Sequence, residues 1–373
     1  MKKSFLLLAT AALFAACASD SVRENIAEDQ VEIGFSTYIQ KPVASKADNS
    51  NATALKGLEA YHQNFVVNGF KTVANNPIQV FEGQEVTAVL GTDGAATGAW
   101  TYLPVSYWDK SASKYSFYAA APQNASWGFD KNGKYYTFSG FVASGKSLAL
   151  ATLDAPKADA VFGEEDLMIA TDIPAYNTFT GDAVNFTFNH ILSRFNIAIS
   201  TSITDGTVTL TSLTVNGMKN KGSFDESLVA ASTAGSTARW NNLAVDGTYA
   251  ITAVKDASNN NVVVNAKKQF VYQGLVIPQT AAYESINLDG TSNETAPYLN
   301  IQYTITTGGS NIQSYSYYYN LADLFNGTGT ANLSFNEGWQ NNLYITIGAA
   351  AINFDAQVYE WATQTPEGNL AVQ

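Results

Sequence analysis

Between Val184 and Ser200 two apolar runs alternate with polar positions. In the first, Val184, Phe186 and Phe188 flank Asn185 and Thr187; in the second, Phe195, Ile197 and Ile199 flank Asn196 and Ala198. Successive side chains of a strand point to opposite sides, so spacing by two predicts one half-buried strand from each run. Asn189 to Arg194, between them, fits a bulge or a bend. A loop rich in Pro, Gly and Asn (Pro174 to Asp182) precedes the stretch and places it at the head of a carboxy-terminal domain.

The same alternation marks Val31 to Gln40, with Val31, Ile33, Phe35 and Ile39 on one face and Glu32, Ser36, Tyr38 and Gln40 on the other. Further strands are predicted at Asn64 to Phe70, Ile78 to Phe81, Thr101 to Trp108, Lys114 to Ala121 and Asp166 to Ala170. Asp130-Lys131-Asn132-Gly133 has the residues of a hairpin turn. Beyond the central stretch come Val208 to Asn216, Asn265 to Tyr272, Gln273 to Gln279, Tyr298 to Thr306, Ser314 to Leu321, Asn342 to Gly348 and Ile352 to Trp361. One helical turn is expected between Tyr319 and Phe325. Many short strands with little helical periodicity predict an all-β protein built of β-sandwiches.

At 373 residues the chain is too long for one ordinary core, and two domains are expected, 31–182 and 183–373. Only 14% of residues are charged, while Tyr and Phe number 20 each, which suits a β-rich extracellular protein. The net charge of −12 argues against nucleic acid or an anionic membrane surface as partner.

The amino terminus adds the most specific local signal. Lys2 and Lys3 precede an apolar run, Phe5 to Phe14, too short to span a bilayer in a mature protein. Ala15 and Ala16 then precede Cys17, the only cysteine. A lone cysteine has no internal disulfide partner, and its place behind small residues suits lipid attachment after removal of residues 1–16. An ordinary signal peptide cut nearby is the plainer alternative. Residues 17–30 are polar and acidic, a tether; Lys41 to Asn51 is an exposed loop of the kind proteases cut.

Catalytic chemistry is nearly absent from the pattern, and no cofactor or metal ligand is predicted. His62 and His190 are the only histidines, each more simply a core or loop residue than a ligand. Gly327-Thr328-Gly329 lacks the third glycine of a dinucleotide loop, and Glu164-Glu165-Asp166 reads as a solvated acidic run. Tyr317-Tyr318-Tyr319 and Trp127 fit either sugar stacking or core packing.

Several motifs, in order, resemble those of the fimbrillin-like proteins, the subunits of type V pili in Gram-negative anaerobes. They are the Cys17 signal, Ile33-Gly34-Phe35-Ser36, Tyr107-Trp108, Tyr115-Ser116-Phe117-Tyr118-Ala119 and Asp166-Leu167-Met168-Ile169-Ala170. Phe188-Asn189-His190-Ile191-Leu192-Ser193-Arg194, Gly274-Leu275-Val276-Ile277-Pro278-Gln279 and Val358-Tyr359-Glu360-Trp361 complete the series. The resemblance implies two tandem transthyretin-like β-sandwich domains and export as an outer-membrane lipoprotein acylated at Cys17. It also implies polymerisation with other pilus subunits by strand exchange, once a trypsin-like protease removes the first strand.

On that expectation Val31, Ile33, Phe35 and Ile39 belong to the displaced strand. The cut falls at Lys46, or at Lys41; the family's usual Arg is missing from this loop, and Arg23 lies too early to release the strand. The donor is Ile352 to Trp361, with Ile352, Phe354, Ala356 and Val358 as anchors, or the tail to Gln373. Without the resemblance, both segments read as ordinary edge strands. A fimbrial anchor or tip, or a surface-tethered lipoprotein that binds a host or glycan ligand without polymerising, is the alternative role.

Overall fold

The computed structural model describes residues 31–39, 58, 62–147, 165–170, 183–228, 237–245, 251–253, 255, 259–281, 297–326, 332–349 and 351–360. Cys17, Lys41, Lys46 and the tail from Trp361 lie outside the described residues. The first strands are β1 (Phe35–Ile39), β2 (Asn64–Val73), β3 (Asn76–Leu90), β4 (Ala96–Thr101) and β5 (Lys114–Ala121). They are followed by β6 (Trp127–Asp130), β7 (Tyr135–Val142), β8 (Met168–Ala170) and β9 (Val184–His190). Next come β10 (Ser193–Thr201), β11 (Thr207–Asn216), β12 (Lys221–Asp225), β13 (Trp240–Ala244), β14 (Ile251–Thr252) and β15 (Val263–Val264). The chain closes with β16 (Gln269–Val276), β17 (Gln279–Ala281), β18 (Tyr298–Thr307), β19 (Asn311–Asn320), the short helix α1 (Leu321–Asn326), β20 (Leu333–Phe335), β21 (Trp339–Ile347) and β22 (Ile352–Glu360). The protein is all-β, as its alternation requires.

Seven strands form one sheet in the order β1-β9-β8-β5-β2-β3-β4. One face buries a cluster of rings and aliphatic side chains centred on Phe35, Phe65, Phe117, Phe186 and Phe188. The other packs against the sheet β13-β12-β7-β6 through Val66, Ala120, Tyr136, Phe138, Phe224 and Trp240. A third cluster, with Phe195, Ile197, Leu213, Ile301 and Ile345, fills the space between β16-β10-β21-β22 and β14-β11-β18-β19.

The central stretch is two strands, but they do not share a sheet. β9 pairs with β1 and β8 in the amino-terminal sheet, while β10 lies between β16 and β21. Ile191 and Leu192, both fully buried, carry the chain from one sheet to the other. The sheets therefore divide inside the stretch rather than ahead of it. Each run has the same period, and period alone does not say which sheet a strand joins.

Other expectations shift for identifiable reasons. The strand expected at Ile78 to Phe81 runs from Asn76 on to Leu90, because Gln84 and Glu85 break the apolar pattern while they stay paired with Val67 and Val66 of β2. Thr101 to Trp108 is not a strand; Pro104 has no N–H to give a ladder, and beyond Thr101 only Tyr107 makes a bridge, to Glu32. Val31 is exposed rather than buried with Ile33, Phe35 and Ile39, and Thr37 takes a place on their face. The break expected at Tyr272 is absent, since every residue of β16 is buried and the run is continuous.

Candidate functional site

β1 lies at the edge of the seven-stranded sheet, parallel to β9, with Phe35 opposite Val184 and Ile39 opposite Phe188. Its alternation is what the sheet needs there. Ile33, Phe35, Thr37 and Ile39 turn inward and are 7% exposed or less, while Tyr38 on the other face is 40% exposed. Burying an apolar side chain of this size contributes about 2 kcal/mol, so Ile33, Phe35 and Ile39 are what hold the strand down.

Phe35 sits at the centre of the cleft. Its ring stacks on Phe186 at 5.6 Å and meets Phe65, Phe81, Tyr102 and Phe117 at 5.4 to 6.5 Å, tilted or edge-on. Such offset and edge contacts add to the area term because the ring edge is positive and the face negative.

Backbone groups just ahead of β1 are used on both sides. Ala183 leads into β9, and Val184 N donates to Gly34 O at 2.8 Å. Opposite, Ile33 N donates to Ser106 O and Trp108 N to Val31 O, each at 2.9 Å, with Glu32 bridged antiparallel to Tyr107. Tyr102 Oη donates to Ile33 O at 2.8 Å and accepts from Ser106 N at 3.3 Å. Burial raises the Tyr102 phenol to about 12, against the hydrogen bond from Ser106 that lowers it.

The sheet rolls until β4 meets β1. Trp100 Nε1 donates to Thr37 Oγ1 at 3.2 Å, and Leu58 N donates to the same oxygen at 3.2 Å. A threonine on an otherwise apolar face is thus satisfied rather than misplaced. Ser36 Oγ donates to Asn185 Oδ1 on the outer face.

The two histidines, which the sequence does not place together, meet at Asp166. His62 N donates to Leu58 O at 2.8 Å, and His62 Nε2 lies 2.7 Å from Asp166 O. His190 Nδ1 lies 2.8 Å from Asp166 Oδ1. Asp166 is only 1% exposed, which overturns its reading as part of a solvated acidic run. It joins His190, at the end of β9, to His62, ahead of β2.

The expected donor segment, β22, is in a different sheet. It pairs antiparallel with β21 in unbroken register, from Ile352 opposite Ile347 to Glu360 opposite Trp339. Ile352, Phe354 and Ala356 are half-buried against the core, and Phe354 meets Tyr319 edge-on at 4.6 Å. Val358, the fourth expected anchor, is 41% exposed. The two segments therefore differ in grip: β1 is fully inserted, β22 half-inserted.

Tyr102, Trp100, Leu58 and Thr37 are the cleft residues that sequence reading did not single out. Trp100 and Tyr102, spaced by two with Thr101 between them, were the available signal. Of the exposed aromatics, Trp127 is half-buried with Nε1 donating to Pro122 O at 2.9 Å, and Tyr318 and Tyr319 are half-buried, which leaves Tyr317 at 39% exposure.

A family model described as fimbrillin-like matches residues 63–361. Among curated proteins no sequence matches the chain. A fimbrial protein from Bacteroides vulgatus is similar in structure, with a TM-score of 0.51 and 16% identity over 89% of this chain and 99% of its own. The tip fimbrial protein Mfa3 from Porphyromonas gingivalis, with a C-terminal truncation, aligns over 89% of this chain and 100% of its own at 9% identity and a TM-score of 0.37.

Proposed function

Because the chain belongs to the fimbrillin-like family, we propose that it is a structural subunit of a cell-surface fimbria that assembles by strand exchange. It is exported as an outer-membrane lipoprotein precursor acylated at Cys17. It folds as two tandem transthyretin-like β-sandwich domains. A trypsin-like protease then cuts after Lys46, or after Lys41.

The observation that carries the reading is the seating of β1. It is an edge strand, so it leaves without breaking a sheet in two, yet its inner face is wholly buried. Both candidate cuts lie between Ile39 and β2, so cleavage turns β1 into a separate peptide held by packing and hydrogen bonds alone. Its departure uncovers the backbone edge of β9 above an apolar floor formed by Phe65, Phe117, Phe186 and Phe188. That is the template a strand from another subunit fills by β-augmentation. The donor is β22, or the tail beyond it, of a neighbouring subunit. Ile352, Phe354 and Ala356 repeat the spacing of Ile33, Phe35 and Thr37.

The amino terminus of protein sheared from the cell surface, read by mass spectrometry, tests this. A terminus just after Lys46 or Lys41 is expected. An acylated Cys17 with residues 31–39 intact would instead mark an anchor or a binding lipoprotein that does not polymerise, and strand exchange through the β1 cleft would be abandoned.

A further inference from the structure

Most sheet edges among the described residues are guarded in the ways that keep strands from pairing with strangers. β6, β13 and β14 run only four, five and two residues. β4 is six residues long, carries Gly98 in the left-handed region and shifts register against β3. β16 is fully buried, and its Gln273 N–H is taken by Ser147 Oγ. β22 carries Asp355 and Glu360.

β19 has none of these guards. It pairs with β18 over ten consecutive residues with no bulge, and no strand among the described residues pairs with its outer edge. Asn311–Asn320 contains no charged residue, no proline and no glycine. Ile312 is 63% exposed and Tyr317 39%. A row of rings lies along the strand: Tyr303, Tyr315 and Tyr317 stack with interplanar angles of 12 to 26°, and Tyr319 continues the row.

The geometry points to β19 as a self-pairing edge, through which two copies of this chain join antiparallel about a two-fold axis at Ser316. The sequence around that residue is its own complement. With Ser316 opposite Ser316, Tyr315 of each copy falls opposite Tyr317 of the other, and Ser314 opposite Tyr318. Positions of like parity share a face, so the tyrosine row of one copy continues into the other on the inner face, with serines and Tyr318 on the outer. Such a contact is isologous and closes at two chains. The absence of charge from the strand matters because the chain as a whole is strongly acidic, and β19 brings none of that charge to its edge. The inference stands apart from strand exchange, since β19 belongs to the sheet opposite β22 and needs no cleavage.

Sedimentation velocity on the uncleaved full chain, from micromolar to millimolar concentration, tests it. The expected result is a reversible shift to twice the monomer mass. Ser316→Lys and Ser316→Glu each place like charges across the axis and are expected to lose the dimer. An equimolar mixture of the two is expected to restore it, which also shows that both variants are folded. A wild-type chain that stays monomeric throughout, a Ser316→Lys chain that still doubles its mass, or a mixture that stays monomeric would each overturn the proposal; the second of these would point to a different surface as the seat of association.

Discussion

The ring of Phe35 in β1 stacks on that of Phe186 in β9, with centroids 5.6 Å apart and planes inclined by 21°. This one ring joins β1 to five other rings at once, those of Phe65, Phe81, Tyr102, Phe117 and Phe186. Phe35→Ala is therefore expected to cost about 3–5 kcal/mol, the transfer free energy plus the cavity left behind. Tyr38→Ala, on the exposed face of the same strand, is expected to stay within about 0.5 kcal/mol. Urea unfolding of the uncleaved chain measures both, and equal effects would mean that the inner face does not govern β1.

Tyr102 gives the cleft a second, polar hold. Tyr102→Phe removes the donor to the buried Ile33 carbonyl and is expected to cost about 1–3 kcal/mol. The same hydroxyl is a pH probe. Burial holds its proton more tightly in the folded chain than in the unfolded one. Its contribution is complete below the ordinary value of 10.0 and is lost as pH rises through about 12. Wild type is expected to lose stability more steeply over that interval than Tyr102→Phe; parallel curves would show the hydroxyl to be solvated.

What the sequence made legible follows from what alternation encodes. Val31 to Gln40 and Ile352 to Trp361 are recognisable strands because one face of each is apolar; the structure gives β22 close to those bounds, whereas β1 begins four residues later, at Phe35. The bend between Phe188 and Phe195 is likewise where two runs break step. Partners are another matter. Thr37 belongs on the buried face because Trp100 and Leu58, remote in the chain, supply its hydrogen bonds. Asp166 is buried because both histidines converge on it. Pattern reports which way a side chain faces, and only tertiary pairing reports what it meets.

Gly69 marks the tightest point beneath the ring cluster. A Cβ there would lie 2.8 Å from Phe81 and 2.9 Å from Phe117, and β2 shifts register against β3 on both sides of it. Gly69→Ala forces one ring aside and is expected to cost about 1–3 kcal/mol. Both rings touch Phe35, so Gly69→Ala and Phe35→Ala share neighbours and are expected to be non-additive by at least about 0.5 kcal/mol. A double-mutant cycle in urea reads this directly; strict additivity would place Gly69 outside the cleft's energetics.

Glu337, in the turn ahead of β21, meets Arg239, which precedes β13, and so ties two sheets together. Arg239 Nε donates to Glu337 Oε2 at 2.8 Å, its Nη2 donates to the same oxygen, and its guanidinium lies 5.1 Å from the Phe224 ring. The carboxylate is 4% exposed, and burial raises it from 4.5 to about 7 despite the guanidinium, which lowers it; Glu226 nearby adds to the rise. A carboxyl that binds its proton more tightly when folded contributes stability that is complete below pH 4.5 and lost as pH rises through about 7. Glu337→Gln keeps a hydrogen-bonding side chain but has no proton to lose. The thermal midpoint of wild type relative to Glu337→Gln is therefore expected to fall across that interval, read by calorimetry at matched ionic strength. If wild type instead gains on the variant as pH rises, attraction to Arg239 outweighs burial, and the pair is an ordinary salt bridge rather than a strained one.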